Sequence, residues 1–509
     1  MKPLLLALLL AAPAHAQSTC EMAYTITPDT INHYLNVTLR CTPPPHHAST
    51  TLRMPVWAPG YYLIVDFPKY LTDFAATDTL GQPLPWDKVQ KDGWTIHSAG
   101  QPFQANYRIY ANQTSVAESH VWTGGAFVAL NGVCMHPEGN TNLPVTVTYN
   151  VPNDWTITTA LQPTANHTYH APNFDVLYDS PALLGHHYTH RFTIDQRPFD
   201  YAIQLPQGTS NTLLHNFPNS QLCHDFQTMV RTATTLMQHT PYDNYAVIHL
   251  DGGQGGLEHA NSQACYVGNI YRNTDNLNNR QAYIQELAFF THEFFHLYNV
   301  KHIRPIELGP FDYSRENYTP MLWVSEGFTV YYEGIILARA GIIDAEAMRQ
   351  KISQHIQNIE SNQGHRHMSL RQSSYDIWLN FFNHADNGKD VRISYYEKGP
   401  IIALLFDITI RDLTNNKRSL DDLMRTLYQR YDQQLKRGFT EDEFWLTAQE
   451  IAGDSLTQLK AYVNTTDEIN YDDMLARAAL QLQRPSLTLT PLNKATSKAK
   501  AIGKAIGMR

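Results

Sequence analysis

The chain has 509 residues, 43% of them hydrophobic and only 17% charged, with a formal net charge of −9. That length provides for two or three domains with sizeable cores. The negative balance argues against nucleic acid as a partner.

Met1 to Ala16 reads as a secretory signal: Lys2, an apolar run from Leu4 to Ala12, then the small-residue site Ala14-His15-Ala16. Cleavage after Ala16 would start the mature chain at Gln17 and place it in a periplasm or outside the cell. No later run of about eighteen apolar residues occurs, so no transmembrane helix is expected. Export permits disulfides. Of the five cysteines, Cys20 and Cys41 flank an expected hairpin turning near Pro28-Asp29, which favours that pair. Cys223–Cys265 is the second expected bridge, leaving Cys134 free.

Residues 17–197 show short alternating segments, such as Tyr34-Leu35-Asn36-Val37-Thr38-Leu39 and Val145-Thr146-Val147-Thr148-Tyr149, which predict an antiparallel β domain. The texture changes over 198–340. Leu222 to Gln238 has helical spacing, and Tyr245 to Leu250 reads as a strand. The Gly-rich turn Asp251–Gly256 and then Leu257-Glu258-His259 follow it. Gly255 and Gly256 would let backbone approach a ligand closely, with the Glu258 charge beside it. A plain hairpin turn with a solvated Glu258 is the competing reading. Residues 341–485 are mostly helical, with amphipathic stretches such as Leu420–Tyr431. Residues 486–509, basic and poor in apolar bulk, read as a disordered tail.

The chemistry is concentrated in a helix predicted over Gln281–Val300. It contains Thr291-His292-Glu293-Phe294-Phe295-His296, a His-Glu-x-x-His motif. Helical residues four apart share one face, so both imidazoles can reach one Zn²⁺ while Glu293 sits close enough to act as base. Leu287, Ala288, Phe289, Phe290, Phe294, Phe295 and Leu297 surround these polar residues. Such a helix is buried, and buried His and Glu need partners that a metal supplies together. Glu326, in Trp323-Val324-Ser325-Glu326-Gly327-Phe328, is the candidate third ligand; two His and one Glu leave the fourth zinc position open. Glu333 falls on the same helix face and is either an orienting partner of a ligand or a surface residue near the helix end. Ser394-Tyr395-Tyr396-Glu397-Lys398-Gly399 offers a phenol able to donate to an oxyanion.

The zinc motif, the downstream glutamate and the Gly-x-x-Glu turn together resemble the gluzincin aminopeptidases. Within them the chain is similar to the glycyl aminopeptidases, metallopeptidase family 61. The resemblance extends through Met54 to Tyr62, Tyr178-Asp179-Ser180-Pro181, Gly255 to His259, Asn299-Val300-Lys301 and Tyr395 to Gly399. It implies that His292, His296 and Glu326 bind one zinc and that Glu293 is the general base. It further implies that Glu258 anchors the substrate's α-ammonium, with Gly255 and Gly256 also in the substrate-binding set, and that Tyr396 stabilises the oxyanion. Many members carry a PDZ domain after the helical region; here the chain stops soon after Leu475–Leu480.

The expected architecture is multidomain: a β-rich N-terminal domain, a thermolysin-like α+β catalytic domain, and an α-helical region that completes the active site. The expected activity is that of an exported zinc aminopeptidase acting on peptides, with a preference for N-terminal Gly or Ala implied by the resemblance alone. A zinc endopeptidase of thermolysin-like mechanism is the alternative. A catalytically silent peptide-binding protein would be expected to have lost a ligand or the base, and all four residues are present.

Overall fold

A computed structural model describes residues 21–43, 48–204, 215–267, 279–380 and 386–509. The signal segment and Cys20 lie outside the described residues.

The N-terminal region is β-rich, as its alternation predicts. A seven-stranded sheet is centred on the hairpin Glu21–Asp29/Tyr34–Thr42, and two four-stranded sheets accompany it. In the second strand Leu35, Val37, Leu39 and Cys41 point inward while their neighbours are partly exposed. This is the period-two pattern of a sheet with one buried face.

A five-stranded sheet carries the catalytic region. Its strands run in the order Tyr188–Ile194, Arg197–Ile203, Tyr245–Leu250, Ser262–Tyr266, Gly256–Glu258. The first strand corrects the expected boundary at residue 197. Tyr188–Ile194 pairs with Arg197–Ile203, so it belongs to this sheet and not to the N-terminal ones. Its alternating pattern resembles the preceding strands, which is why the sequence did not separate it.

Tyr245–Leu250 is buried on both faces. Tyr245 and Val247 join the helical core, while Ile248 and Leu250 join the core of the β domain. The neighbouring strands divide the same way: Phe199, Tyr201 and Cys265 on one side, Ala202, Ala264 and Tyr266 on the other. The sheet is therefore a shared wall between two cores. Traffic also runs in the opposite direction: Val56, Trp57 and Tyr62 leave the β domain and pack in the helical core.

The helix Gln221–Met237 matches its prediction and is capped by Ser220 Oγ, which accepts from Cys223 N at 3.2 Å. Cys223 and Cys265 are free thiols, which corrects the expected bridge. Each is buried, and each sulfur accepts from a nearby amide, Gln227 at 3.4 Å and Gln263 at 3.6 Å. They pack as small apolar residues of the core. Cys134 is buried and free, as expected. Among the described residues, no helix is long and apolar enough to cross a membrane.

The tail is a third correction. Leu480–Gln483 and Thr488–Pro491 form a hairpin, and Ser497–Ala505 is a helix capped by Thr496. Ala499, Ile502 and Ile506 recur at helical spacing and are buried with Met508, while the lysines face outward. Arg349 Nη1 holds the carbonyl of Met508 at 2.7 Å. Burying one Ile or Met side chain contributes roughly 1.5–3 kcal/mol. A chain ending before Thr496 should therefore melt at least about 3 °C lower by calorimetry; an unchanged Tm would mean that the helix contributes nothing.

Candidate active site

Asn279 caps the motif helix, Arg280–Phe295, by accepting from Gln281 N and Ala282 N. From Leu287 onward almost every residue is buried, as the apolar sequence predicts. His292 and Glu293 lie in the last turn and His296 is the C-cap. Glu326 comes from Trp323–Phe328, which winds as a π-helix before continuing as the α-helix Thr329–Arg339. Single π turns inside helices recur at functional sites; helical spacing alone did not reveal this one.

Asn299 joins the two elements. Its amide donates to the carbonyls of Val324 at 2.8 Å and Ser325 at 3.0 Å, the two residues before Glu326. Its own carbonyl accepts from His296 Nδ1 at 2.7 Å. One residue thereby orients both a histidine and the glutamate.

The three candidate ligands converge. His292 Nε2 and His296 Nε2 are 2.9 Å apart, and Glu326 Oε2 is 3.6 and 3.2 Å from them. All three side chains are buried, with one donor atom from each in a common cluster. His292 Nδ1 faces Glu333 Oε2 at 3.1 Å. Both Nδ1 partners are acceptors, which assigns a proton to each Nδ1 and turns both Nε2 atoms toward the shared point. Glu326 Oε2 is buried there without a hydrogen bond. Two facing ring nitrogens and an orphaned carboxylate oxygen fit a zinc ion. Burial disfavours the charged form of His292, but Glu326 and Glu333 outweigh it and hold the imidazole up at about 10.

Glu333 is buried, not a surface residue, and its second oxygen receives Lys351 Nζ. Burial opposes its ionisation, but Lys351 and His292 hold its carboxyl down at about 2. Glu293 behaves in the opposite way. Burial pushes it up to about 7, with the two histidines opposing and the Glu258 and Glu326 charges assisting. A carboxyl poised near neutrality suits a general base.

The strand Gly256–Glu258 passes directly over that base. A Cβ on Gly256 would fall 2.2 Å from Glu293 Oε1, so only glycine fits. Gly255 has nothing near its missing Cβ; its φ of +91° is what requires glycine. Glu258 is buried, with Lys301 Nζ at 3.6 Å from Oε1. Lys301 is shared with Asp179, which it meets at 2.8 Å, and Asp179 also holds His259 Nδ1 at 3.0 Å and Ala260 N at 2.7 Å. The solvated-turn reading of Glu258 is thereby corrected.

Tyr396 is the second residue of the helix Tyr395–Leu413, where its amide donates to the capping Ser394 Oγ at 3.1 Å. That helix meets the π turn backbone to backbone: a Cβ on Gly327 would lie 2.5 Å from Gly399 Cα. This close crossing brings Tyr396 to the centre, its ring 6.3 Å from that of His292. Burial and then the Glu326 charge push its hydroxyl well above the usual phenol range, so it stays a donor.

The structure thus gathers every sequence-predicted site residue. It adds Asp179, Lys301, Gly60 and Tyr62. Their motifs carried the family resemblance, but no spacing rule connects them to partners as far as 264 positions away.

A buried two-His-one-Glu cluster with an adjacent base and a donor phenol defines the class of a metallopeptidase. The Peptidase M61 N-terminal domain matches residues 23–186, and M61 glycyl aminopeptidase matches residues 285–402. The chain belongs to the M61 glycyl aminopeptidase family, and its class is that of the metal-dependent aminopeptidases. No curated protein matches it in sequence. Among solved structures, an aminopeptidase N family protein from Idiomarina loihiensis is similar at 26% identity and TM-score 0.81, covering 91% of this chain and 79% of that one. An M1 zinc metallopeptidase from Deinococcus radiodurans shares the fold at 13% identity and TM-score 0.51, over 89% and 94% of the two chains. Legionella pneumophila aminopeptidase A, solved with aspartic acid, does so at 12% and 0.53, over 88% of this chain and 49% of that one.

Glu333 generates a direct test of the metal centre. Partners that orient a ligand typically contribute 10–100-fold to metal affinity, so Glu333→Ala should weaken zinc binding by about that factor in a chelator competition. Wild-type affinity in that variant would remove Glu333 from the centre.

Proposed function

We propose that this protein is an exported, zinc-dependent aminopeptidase of thermolysin-like mechanism that releases N-terminal Gly or Ala from peptides. The observation that carries the reading is the buried carboxylate of Glu258, set on the strand that covers the base Glu293. A buried, incompletely paired carboxylate beside a hydrolytic centre suits a substrate ammonium. Gly60 packs against it, which supports a closed end to the cleft and an exopeptidase over an endopeptidase. The leader at residues 1–16 supports export.

His292, His296 and Glu326 would hold the zinc. When bound, zinc supplies a Lewis acid that polarises the scissile carbonyl and activates the attacking water. Glu293 accepts a proton from that water and delivers it to the leaving amine. Tyr396 donates a hydrogen bond to the oxygen as negative charge develops there. Glu258 holds the free α-ammonium, so the bond after the first residue lies at the base. Lys301 and Asp179 fix Glu258 in place.

Glu293→Gln should retain zinc and lose at least about a hundredfold in kcat. Tyr396→Phe should lower kcat by about a hundredfold or more with little change in KM, since its contact exists only in the transition state. Wild-type turnover in either variant contradicts the assigned role.

Glu258→Ala should lower kcat/KM on aminoacyl-p-nitroanilides at least about tenfold, the loss of one charge-assisted contact. N-acetylated peptides should be poor substrates for wild type and suffer no further loss in the variant. Rapid wild-type cleavage within N-blocked peptides contradicts the exopeptidase reading and leaves the hydrolytic centre standing.

A further inference from the structure

We propose that Tyr62, delivered by the N-terminal β domain, is the wall of the subsite for the substrate's first side chain and restricts that residue to Gly or Ala. The inference rests on the aminopeptidase reading above and names the residue that sets its specificity.

The segment Met54–Tyr62 is pinned into the catalytic region. Val56 N donates to Tyr313 O at 2.9 Å, and Trp57 Nε1 donates to Asp312 O at 2.8 Å. Gly60, at a φ of +88°, lies so close to Glu258 that a Cβ would meet both carboxylate oxygens at 2.6 and 2.7 Å. Two residues on, the Tyr62 hydroxyl reaches Glu326 Oε1 at 3.5 Å. The segment therefore spans from the amine anchor to a metal ligand.

A bound substrate has to span the same gap. Its ammonium rests on Glu258 and its scissile carbonyl stands at the ligand cluster. Only the α-carbon separates these groups, so the α-carbon and whatever it carries lie beside the phenol. Tyr62 has little freedom to yield. It is 2% exposed, and its ring packs edge-on to Trp378 at 5.9 Å, which packs edge-on to Trp57 at 5.1 Å. A hydrogen or a methyl group fits against a fixed ring; an isobutyl or benzyl group collides with it.

Space adjoins the ring. A cavity of about 250 Å³ lies between the two domains, lined by Trp57, Gly60, Tyr62, Glu258, Lys301 and Arg304. Tyr62 and Glu258 border both this cavity and the catalytic centre. Truncating the phenol would join them and make room for a larger first side chain.

The test compares kcat/KM on Gly-, Ala-, Leu- and Phe-p-nitroanilide for the zinc-loaded full chain and for Tyr62→Ala, Tyr62→Leu and Tyr62→Phe. Zinc content and Tm serve as folding checks. Wild type should favour Gly and Ala over Leu and Phe. Hydrophobic pockets discriminate about 10–200-fold per methylene, so Tyr62→Ala should raise the Leu/Gly ratio at least about tenfold, mainly through KM for Leu. Tyr62→Phe keeps the ring and should keep the wild-type ratio. Tyr62→Leu should fall between them, and it decides the matter if the alanine variant does not fold. An unchanged Leu/Gly ratio on truncation overturns the proposal. So does a Tyr62→Phe variant as permissive as Tyr62→Ala, since the hydroxyl and not the bulk would then set selectivity. A wild type that prefers Leu or Phe overturns the Gly/Ala reading itself, independently of the variants.

Discussion

The structure depends on keeping four buried glutamates, Glu258, Glu293, Glu326 and Glu333, inside an apolar core. Such charge is costly unless paired, and removing one partner leaves the other stranded. Three of the four carboxylates are therefore met by something fixed. Lys351 and His292 face Glu333, the two histidines face Glu326, and Lys301 faces Glu258. Glu293 alone has no cation of its own and sits near neutrality. One ion at the meeting point of His292, His296 and Glu326 would complete the balance. The surrounding packing is the apparatus that holds these donors in place: the Asn299 bridge, the π turn and the Gly327–Gly399 crossing.

The two main cores are not independent units placed side by side. The five-stranded sheet gives one face to each, and the Trp57–Tyr62 stretch returns from the β domain into the helical core. The domain boundary runs through the active site as a result. Gly60 abuts Glu258, Asp179 holds Lys301, and both come from the N-terminal region. Loss of the β domain would therefore remove the Gly60 and Asp179 contacts around Glu258 and Lys301 as well as one wall of the core.

Much of this was legible in the sequence, for physical reasons that also explain the misses. A helix apolar on all sides that carries His, Glu and His has few explanations, so the two candidate histidine ligands and the candidate base emerged from local pattern alone. Glu326 was legible as a carboxylate in an apolar stretch, but its π winding was not, since apolar spacing does not distinguish π from α winding. The role of Tyr62 is not legible in its motif, since its partner Glu326 is 264 positions away. Ile502 and Ile506 formed a helical stripe too sparse to outweigh the lysines around it, which led to the disordered-tail expectation. Pairing Cys223 with Cys265 assumed that two cysteines of an exported chain seek each other. Here each is stabilised by burial and an amide contact.

The central claim is that one zinc ion is held by two imidazoles and one carboxylate. Zinc K-edge X-ray absorption on the purified protein, paired with elemental analysis, tests it most directly. The account predicts one zinc per chain in a nitrogen and oxygen shell containing two imidazoles, and loss of the metal in Glu326→Ala. Sulfur in the shell, or full occupancy in Glu326→Ala, would contradict it.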